Sequence, residues 1–286
     1  MNKTSLLSVI IALTALASVF VLQKPQNTAD RGAETVFERV MRTQIIRCGY
    51  ISAPPLLIKD PNTGRLSGVA YDVAELLGKQ LGLKIDWTEE VGWGTFPSAL
   101  ASRRFDAFCV GAWPSAARSR STDSTVPFSY QPYYAYVRAG DGRFMDIKTA
   151  LNTPTTTLSV MDGDTSAIIA SSDFPKAKTV SLTESANVGE LLLNVVTGKA
   201  DATFIDPAMA AKFDANNPGK IQRLADAPPI RVFGNVFFIA QNQDAFRRML
   251  DTTLEELLSS GQIENIIARY EAVPGTILRV APKYAR

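Results

Sequence analysis

Two stretches of this chain share one grammar. Ala99–Gly111 runs from a helix end through a basic turn, Arg103-Arg104, into Asp106-Ala107 and an apolar strand. Val195–Asp206 runs from a helix end through Thr197-Gly198-Lys199 into Asp201-Ala202 and a second apolar strand. Short apolar runs bounded by turn signals read as buried strands, most readily of a parallel sheet. A chain that repeats the pattern is expected to fold as two similar α/β units. Open α/β sheets gather their ligands beyond the carboxyl ends of such strands, and there the two stretches differ. The first opens at Gly111 into a polar loop bearing Trp113, Ser115 and Arg118, while the second delivers Asp206. A guanidinium offers a planar fork of donors to two carboxylate oxygens, and the Ser115 hydroxyl adds a third bond. Taken singly, each charge is an ordinary solvated surface residue. A cation at one strand end and an anion at the matching one predict a cleft for a zwitterion.

Composition narrows the chemistry. The chain has 286 residues, 46% hydrophobic and 20% charged, enough for one large domain or two ordinary ones with a real core. Its net charge of +2 is small and scattered, which argues against a nucleic-acid partner. There is no histidine, which excludes Ser-His-Asp and Cys-His catalysis and most zinc sites. No metal or cofactor is expected. Cys48 and Cys109 form no C-x-x-C pair and sit in separate apolar runs. Neighbouring strands would bring the two sulfurs close; buried free thiols are read ahead of a disulfide.

In order, residues 1–22 hold a lysine and then the apolar run Leu6–Leu22, an export signal. Ala15-Leu16-Ala17 resembles a cleavage site, yet the run is near the ~17-residue lower limit for spanning a bilayer, so a cleaved signal and a retained anchor both stay open. Residues 23–44 read as a tether, with a short helix over Thr35–Arg42. Ile45–Gly49 is the first strand, and Tyr50–Pro55 is the loop leaving it. Val69, Val73, Leu76, Leu77 and Leu81 predict an amphipathic helix closed by Gly82. Leu83–Trp87 is a strand. Trp93 precedes a helix with Thr95 as N-cap and Pro97 in its first turn. The second half of Pro127–Arg138 and Val232–Ala240 predict two crossing strands that form a hinge between two separate lobe sheets. Thr157–Val160 begins the second lobe, Gly163-Asp164-Thr165 opens a helix, and Asp164 is read as that helix's own cap. Phe246–Leu258 and Ile263–Tyr270 are closing helices, followed by a basic extension. The lobes are placed at 45–137 with 233–286, and at 138–232.

The sequence resembles the extracytoplasmic solute-binding proteins, family 3, that serve amino-acid ABC importers, over about Ile45–Tyr270. The resemblance rests on Cys48-Gly49 before Pro54-Pro55, Gly64-x-x-x-Gly68 before Asp72, Phe105-Asp106-Ala107, Gly111 to Arg118, and Val160-x-x-Gly163. Gly198-x-x-Asp201-Ala202, Asp206, and Leu257–Tyr270 around Gly261 complete it. It implies a type II periplasmic-binding-protein-like fold, two α/β lobes on a two-stranded hinge, and a monomer that captures a small polar solute. That solute is an amino acid or related carboxylate, delivered outside the cytoplasm to an inner-membrane ABC permease. It further implies that Arg118 and Ser115 take the α-carboxylate, that Asp206 takes the α-ammonium, and that Gly163–Thr165 offers backbone N–H groups. Tyr50 and Trp93 complete the expected ligand-binding set. Departures stand at Ala53 and Leu56, where aromatics flank the Pro-Pro pair, at Trp113 in place of a small hydroxyl residue, and at Asp164 in place of Thr or Ser. Trp113 offers either a stacking face or a core side chain. Asp164, if it faces the cleft, repels a carboxylate and favours a cationic group. A binder without chemistry is the first reading. The alternatives are an enzyme similar to periplasmic cyclohexadienyl dehydratases, with Asp164 or Asp206 as acid, and a tethered ligand sensor.

Overall fold

The computed structural model describes residues 34–144, 150–184, 186–224 and 228–280. The export segment, the tether up to residue 33 and the last residues of the basic extension lie outside them. The folded body starts earlier than the expected boundary at residue 45. Helix α1 (Val36–Thr43) starts at a capping box in which Thr35 Oγ1 accepts from the Glu38 amide and Glu38 accepts from the Thr35 amide. It buries Val36 and Val40 in the core, so residues 36–43 belong to the folded body.

Strand β1 (Ile45–Tyr50) is followed by a small hairpin, β2 (Ile58–Lys59) and β3 (Leu66–Ser67), and by helix α2 (Val69–Leu81). The apolar stripe of α2 buries Val69, Val73 and Leu77, and Gly82 ends it at φ +68°, a left-handed cap that suits glycine. Strand β4 (Lys84–Glu90), helix α3 (Phe96–Ala101) and strand β5 (Ala107–Ala112) complete this unit, with β1 parallel to both β4 and β5. The expected N-cap at Thr95 is replaced by a local turn, because its hydroxyl accepts from the Gly92 amide at 3.1 Å instead. The short strand β6 (Thr122–Ser124) and the long strand β7 (Ser129–Arg138) follow.

The second unit contains β8 (Thr157–Met161), α4 (Thr165–Asp173), β9 (Lys178–Leu182), α5 (Gly189–Val196), β10 (Ala202–Ile205), α6 (Pro207–Asn216) and β11 (Ile221–Arg223). Strand β12 (Arg231–Ala240) then returns the chain to α7 (Asp244–Ser259) and α8 (Gln262–Tyr270), which pack on α2. Each unit has its own core. One gathers Val73, Leu77, Phe237, Leu254 and Ile267, and the other gathers Leu158, Ile169, Phe174 and Phe204.

The repeated Asp-Ala has one structural job in both units. Asp106 Oδ2 accepts from the Arg47 amide at the start of β1 at 2.7 Å, and Asp201 Oδ2 accepts from the Thr157 amide at the start of β8 at 2.8 Å. Each aspartate thus fastens its strand to the parallel neighbour where that neighbour begins, satisfying an edge N–H that the ladder leaves open. Asp106 is fully buried and is also held by Arg39 and Arg47.

The two long strands carry the chain across. Ser129–Tyr133 of β7 pairs antiparallel with Arg231–Asn235 of β12. Beyond that ribbon they part: Tyr134–Val137 turns to β10, and β12 from Val236 to Ile239 turns to β5. The expectation of two separate lobe sheets is corrected here. Because each ten-residue strand pairs with different neighbours in its two halves, the order β4-β1-β5-β12-β7-β10-β8-β9 is an unbroken path. The result is two α/β lobes sharing a two-stranded hinge.

Free thiols are also corrected. In the β1–β5 register Cys48 pairs with Ala107, so Cys109 two residues on projects to the same face. The Cα atoms are 5.6 Å apart and the two cysteines form a disulfide. Among the described residues no helix is long and apolar enough to cross a membrane.

Candidate functional site

A cavity of about 160 Å³ opens where the carboxyl ends of β5 and β10 face each other across the hinge ribbon. One wall comes from Ser52, Pro54 and Leu56 after β1, Trp93 before α3, and Gly111, Trp113 and Arg118 after β5. The other comes from Gly163 and Asp164 before α4, Val188 just before α5 and Leu191 within it, and Asp206 with Met209 at the start of α6. Gln131 and Tyr133 of β7 form the floor. Gly111 adopts φ +82° and lies so close to Phe128 that a Cβ would sit 2.9 Å from that ring. Only glycine turns the strand into the loop there.

Arg118 sits in a short turn, Arg118–Arg120, whose first amide is accepted by Ser115 Oγ at 3.3 Å. Its guanidinium donates Nη1 to the Trp113 carbonyl at 2.8 Å. Four rings surround it, with Trp113 nearest at 4.2 Å from ring centre to Cζ, then Phe96 at 5.6 Å, Trp93 at 5.8 Å and Phe238 at 5.9 Å. Cation–π attraction and burial hold the side chain in one pose. No carboxylate among the described residues is in ion-pair contact with it. Burial lowers its pKa to about 10, partly offset by Asp164 and Tyr133, so it stays cationic at neutral pH. A desolvated cation whose remaining donors face a cavity is a site for an anionic oxygen pair.

Asp206 ends β10 and caps α6. Its Oδ1 accepts from the amides of Ala208 and Met209, both at 3.0 Å, with Pro207 occupying the first helical turn. It is 5% exposed, and burial pushes its carboxyl up to about 6 against the opposing bonds from Met209, Ala208 and Gln131. A buried carboxylate holds several acceptor sites, and those beyond the helix start and Gln131 can take a cationic donor.

Asp164 does both things expected of it in alternative. Its Oδ1 accepts from Ser166 N at 2.9 Å and Ser166 Oγ at 2.8 Å, capping α4, and the same residue lines the cavity opposite Arg118. The expected set is only partly assembled. Arg118, Trp113, Trp93, Gly163 and Asp206 line the cavity; Ser115, Thr165 and Tyr50 do not. Ser115 spends its oxygen on shaping the arginine's turn. Thr165 is fully buried behind the wall, beside Tyr133. Tyr50 packs edge-on to Trp87, their ring centres 6.1 Å apart, under the Lys59 ammonium. Trp113 is 7% exposed and contacts Phe233 at 5.1 Å, so it is both core and cavity wall. Gln131 and Tyr133 went unread, although a buried glutamine in an aromatic crossing strand, two residues from a tyrosine on the same face, is a signal of a polar floor.

Comparison with known proteins agrees with this geometry. The profile of the bacterial extracellular solute-binding proteins, family 3, matches residues 46–272. A probable amino-acid ABC transporter-binding protein of Haemophilus influenzae is 22% identical over 82% of this chain and 87% of its own length. A probable histidine-binding protein of Neisseria gonorrhoeae is 23% identical over 74% of this chain and 77% of its own length. Among solved structures, an ancestral amino-acid-binding protein, a precursor of cyclohexadienyl dehydratase, superposes with a TM-score of 0.68 at 22% identity. That match covers 82% of this chain and 99% of the other. A binding component of an ABC transporter from Wolinella succinogenes complexed with lysine gives 0.68 at 21% identity, covering 81% and 97%.

Proposed function

Since the chain belongs to the bacterial extracellular solute-binding proteins of family 3, we propose that its cleft captures a free amino acid for an ABC importer. The observation that carries this reading is Arg118, a half-buried guanidinium in an aromatic cage with no carboxylate in ion-pair contact among the described residues, lining the cavity with Asp206 of the other lobe. The ligand's carboxylate completes the fork of Arg118, and its ammonium meets the Asp206 carboxylate. Tyr133 and Gln131 floor the site, while Trp93 and Trp113 exclude water from it. The lobes, 45–137 with 233–286 and 138–232, close on the ligand by bending the β7–β12 ribbon. The mature protein works as a monomer outside the cytoplasm, with residues 1–22 as its signal or anchor, and hands its closed form to a permease. It performs no chemistry and contacts no nucleic acid.

Native mass spectrometry of the exported protein, with the released ligand identified after denaturation, tests this reading. An amino acid released in near-stoichiometric amount supports it; an unrelated solute contradicts it.

One observation favours an enzyme instead: the Asp206 carboxyl is pushed up to about 6, inside the range of a general acid. Its acceptor bonds from the start of α6 point the other way, toward an ionised group that receives an ammonium. Incubation with prephenate separates the two. Formation of phenylpyruvate would establish a dehydratase; its absence together with amino-acid binding establishes a binder.

A further inference from the structure

The charges in the cavity do not balance for an ordinary zwitterion. Among the described residues lining it, the acidic and basic side chains are Arg118, Asp164 and Asp206. The neutral polar groups are Ser52, Gln131 and the phenol of Tyr133. One cation and two anions leave an excess negative charge. A ligand with one carboxylate and one ammonium satisfies Arg118 and Asp206 and brings no cation to Asp164, which is costly on closure. Asp164 is not consumed by its capping role. Both bonds from Ser166 go to Oδ1, and Oδ2 has no hydrogen-bond partner among the described residues. The lining between the charged corners is apolar, from Pro54, Leu56, Val188, Leu191 and Met209, and suits a methylene chain.

Resting on the amino-acid reading above, we infer that the ligand is dibasic, an α-amino acid whose side chain ends in an ammonium or guanidinium that Asp164 receives. Asp164 is then the residue that sets specificity. The side-chain cation restores neutrality to the closed cleft and screens the ligand carboxylate from Asp164. The departure at this position has a chemical consequence: a carboxylate here selects by charge.

The test uses calorimetry on the full mature protein with L-arginine, L-lysine, L-glutamine, L-leucine and agmatine, against wild type and Asp164→Asn. Asparagine caps a helix about as well as aspartate, so α4 should keep its start, and unchanged thermal unfolding confirms it. Wild type is expected to prefer arginine or lysine over glutamine by roughly 30-fold to several thousandfold, the range for loss of one enclosed charge pair. Asp164→Asn should bring that ratio near unity while leaving glutamine binding equal or tighter. Agmatine, which keeps both cations and lacks the carboxylate, should bind more weakly than arginine in both forms. A wild type that takes glutamine or leucine as tightly as arginine overturns the dibasic assignment and leaves the amino-acid reading standing. An Asp164→Asn variant that keeps a wild-type preference for arginine overturns Asp164 as the residue that receives the side-chain cation and sets specificity. Agmatine binding as tightly as arginine, or no amino acid binding at all, overturns the amino-acid reading and the dibasic assignment with it.

Discussion

Asp206 illustrates how one side chain is asked to do two things that pull its proton in opposite directions. Burial favours the neutral acid, while the amides of Ala208 and Met209 favour the anion, and burial wins by moving the carboxyl to about 6. The folded state therefore holds its proton at pH values where the unfolded chain, near 3.8, has released it. The native form binds more protons between those values, so stability of the ligand-free protein falls as pH rises from about 4 to 6, by up to about 3 kcal/mol. Asp206→Asn, which keeps a helix cap, should flatten that slope in urea titrations run across this range. Ligand binding carries the opposite sign. An ammonium needs the ionised carboxylate, so affinity is expected to drop as pH falls through 6 in wild type, and far less in the asparagine variant. A wild-type affinity flat between pH 5 and 7 would remove Asp206 from ammonium recognition.

Among the elements, those with a periodic apolar face and a defined stop were legible in advance. Helix α2 announces itself through Val69, Val73, Leu77 and Gly82, and the repeated Asp-Ala announces two parallel units. The elements that went unread have no such face. Helix α6 buries only Ala210, and its one signal is the Asp206-Pro207 start. Strand β9 has no fully buried residue along its length, and β11 is three residues long. Tertiary pairing, not local pattern, makes these. The site was half legible for the same reason: charges at strand ends were readable, whereas Gln131 and Tyr133 depend on which face of β7 meets the cleft. Asp164 caps α4 as its position before the helix implies, and a cap uses one carboxylate oxygen of two. Two changes test the element-level account. Asp106→Ala leaves Arg39 and Arg47 facing a vacated buried site and an unpaired β1 amide, a loss on the order of 3–5 kcal/mol in chemical unfolding. Gly68→Ala places a Cβ 2.5 Å from the Leu56 carbonyl at φ +115°, and should cost about 1–3 kcal/mol through backbone strain at the entry to α2. Wild-type midpoints in both variants would show these anchors to be dispensable.

At the scale of the whole molecule, the account is of two lobes whose ladders run together through β7 and β12, with charge of opposite sign at the facing strand ends. Both long strands change partners just beyond the ribbon of Ser129–Tyr133 and Arg231–Asn235, so bending of that ribbon would move one lobe against the other without breaking either core. The most direct measurement of the central claim is calorimetric titration of wild type and Arg118→Ala with the co-purified ligand, each form first shown to be folded. Removal of the guanidinium takes away a charge-assisted fork and leaves the ligand carboxylate enclosed against Asp164. The expected loss is roughly 2–5 kcal/mol, about 30-fold to several thousand-fold in affinity. Arg118→Lys should recover little, because a point charge does not reproduce the fork. Equal affinity in wild type and Arg118→Ala would contradict the account and make the caged arginine a structural residue.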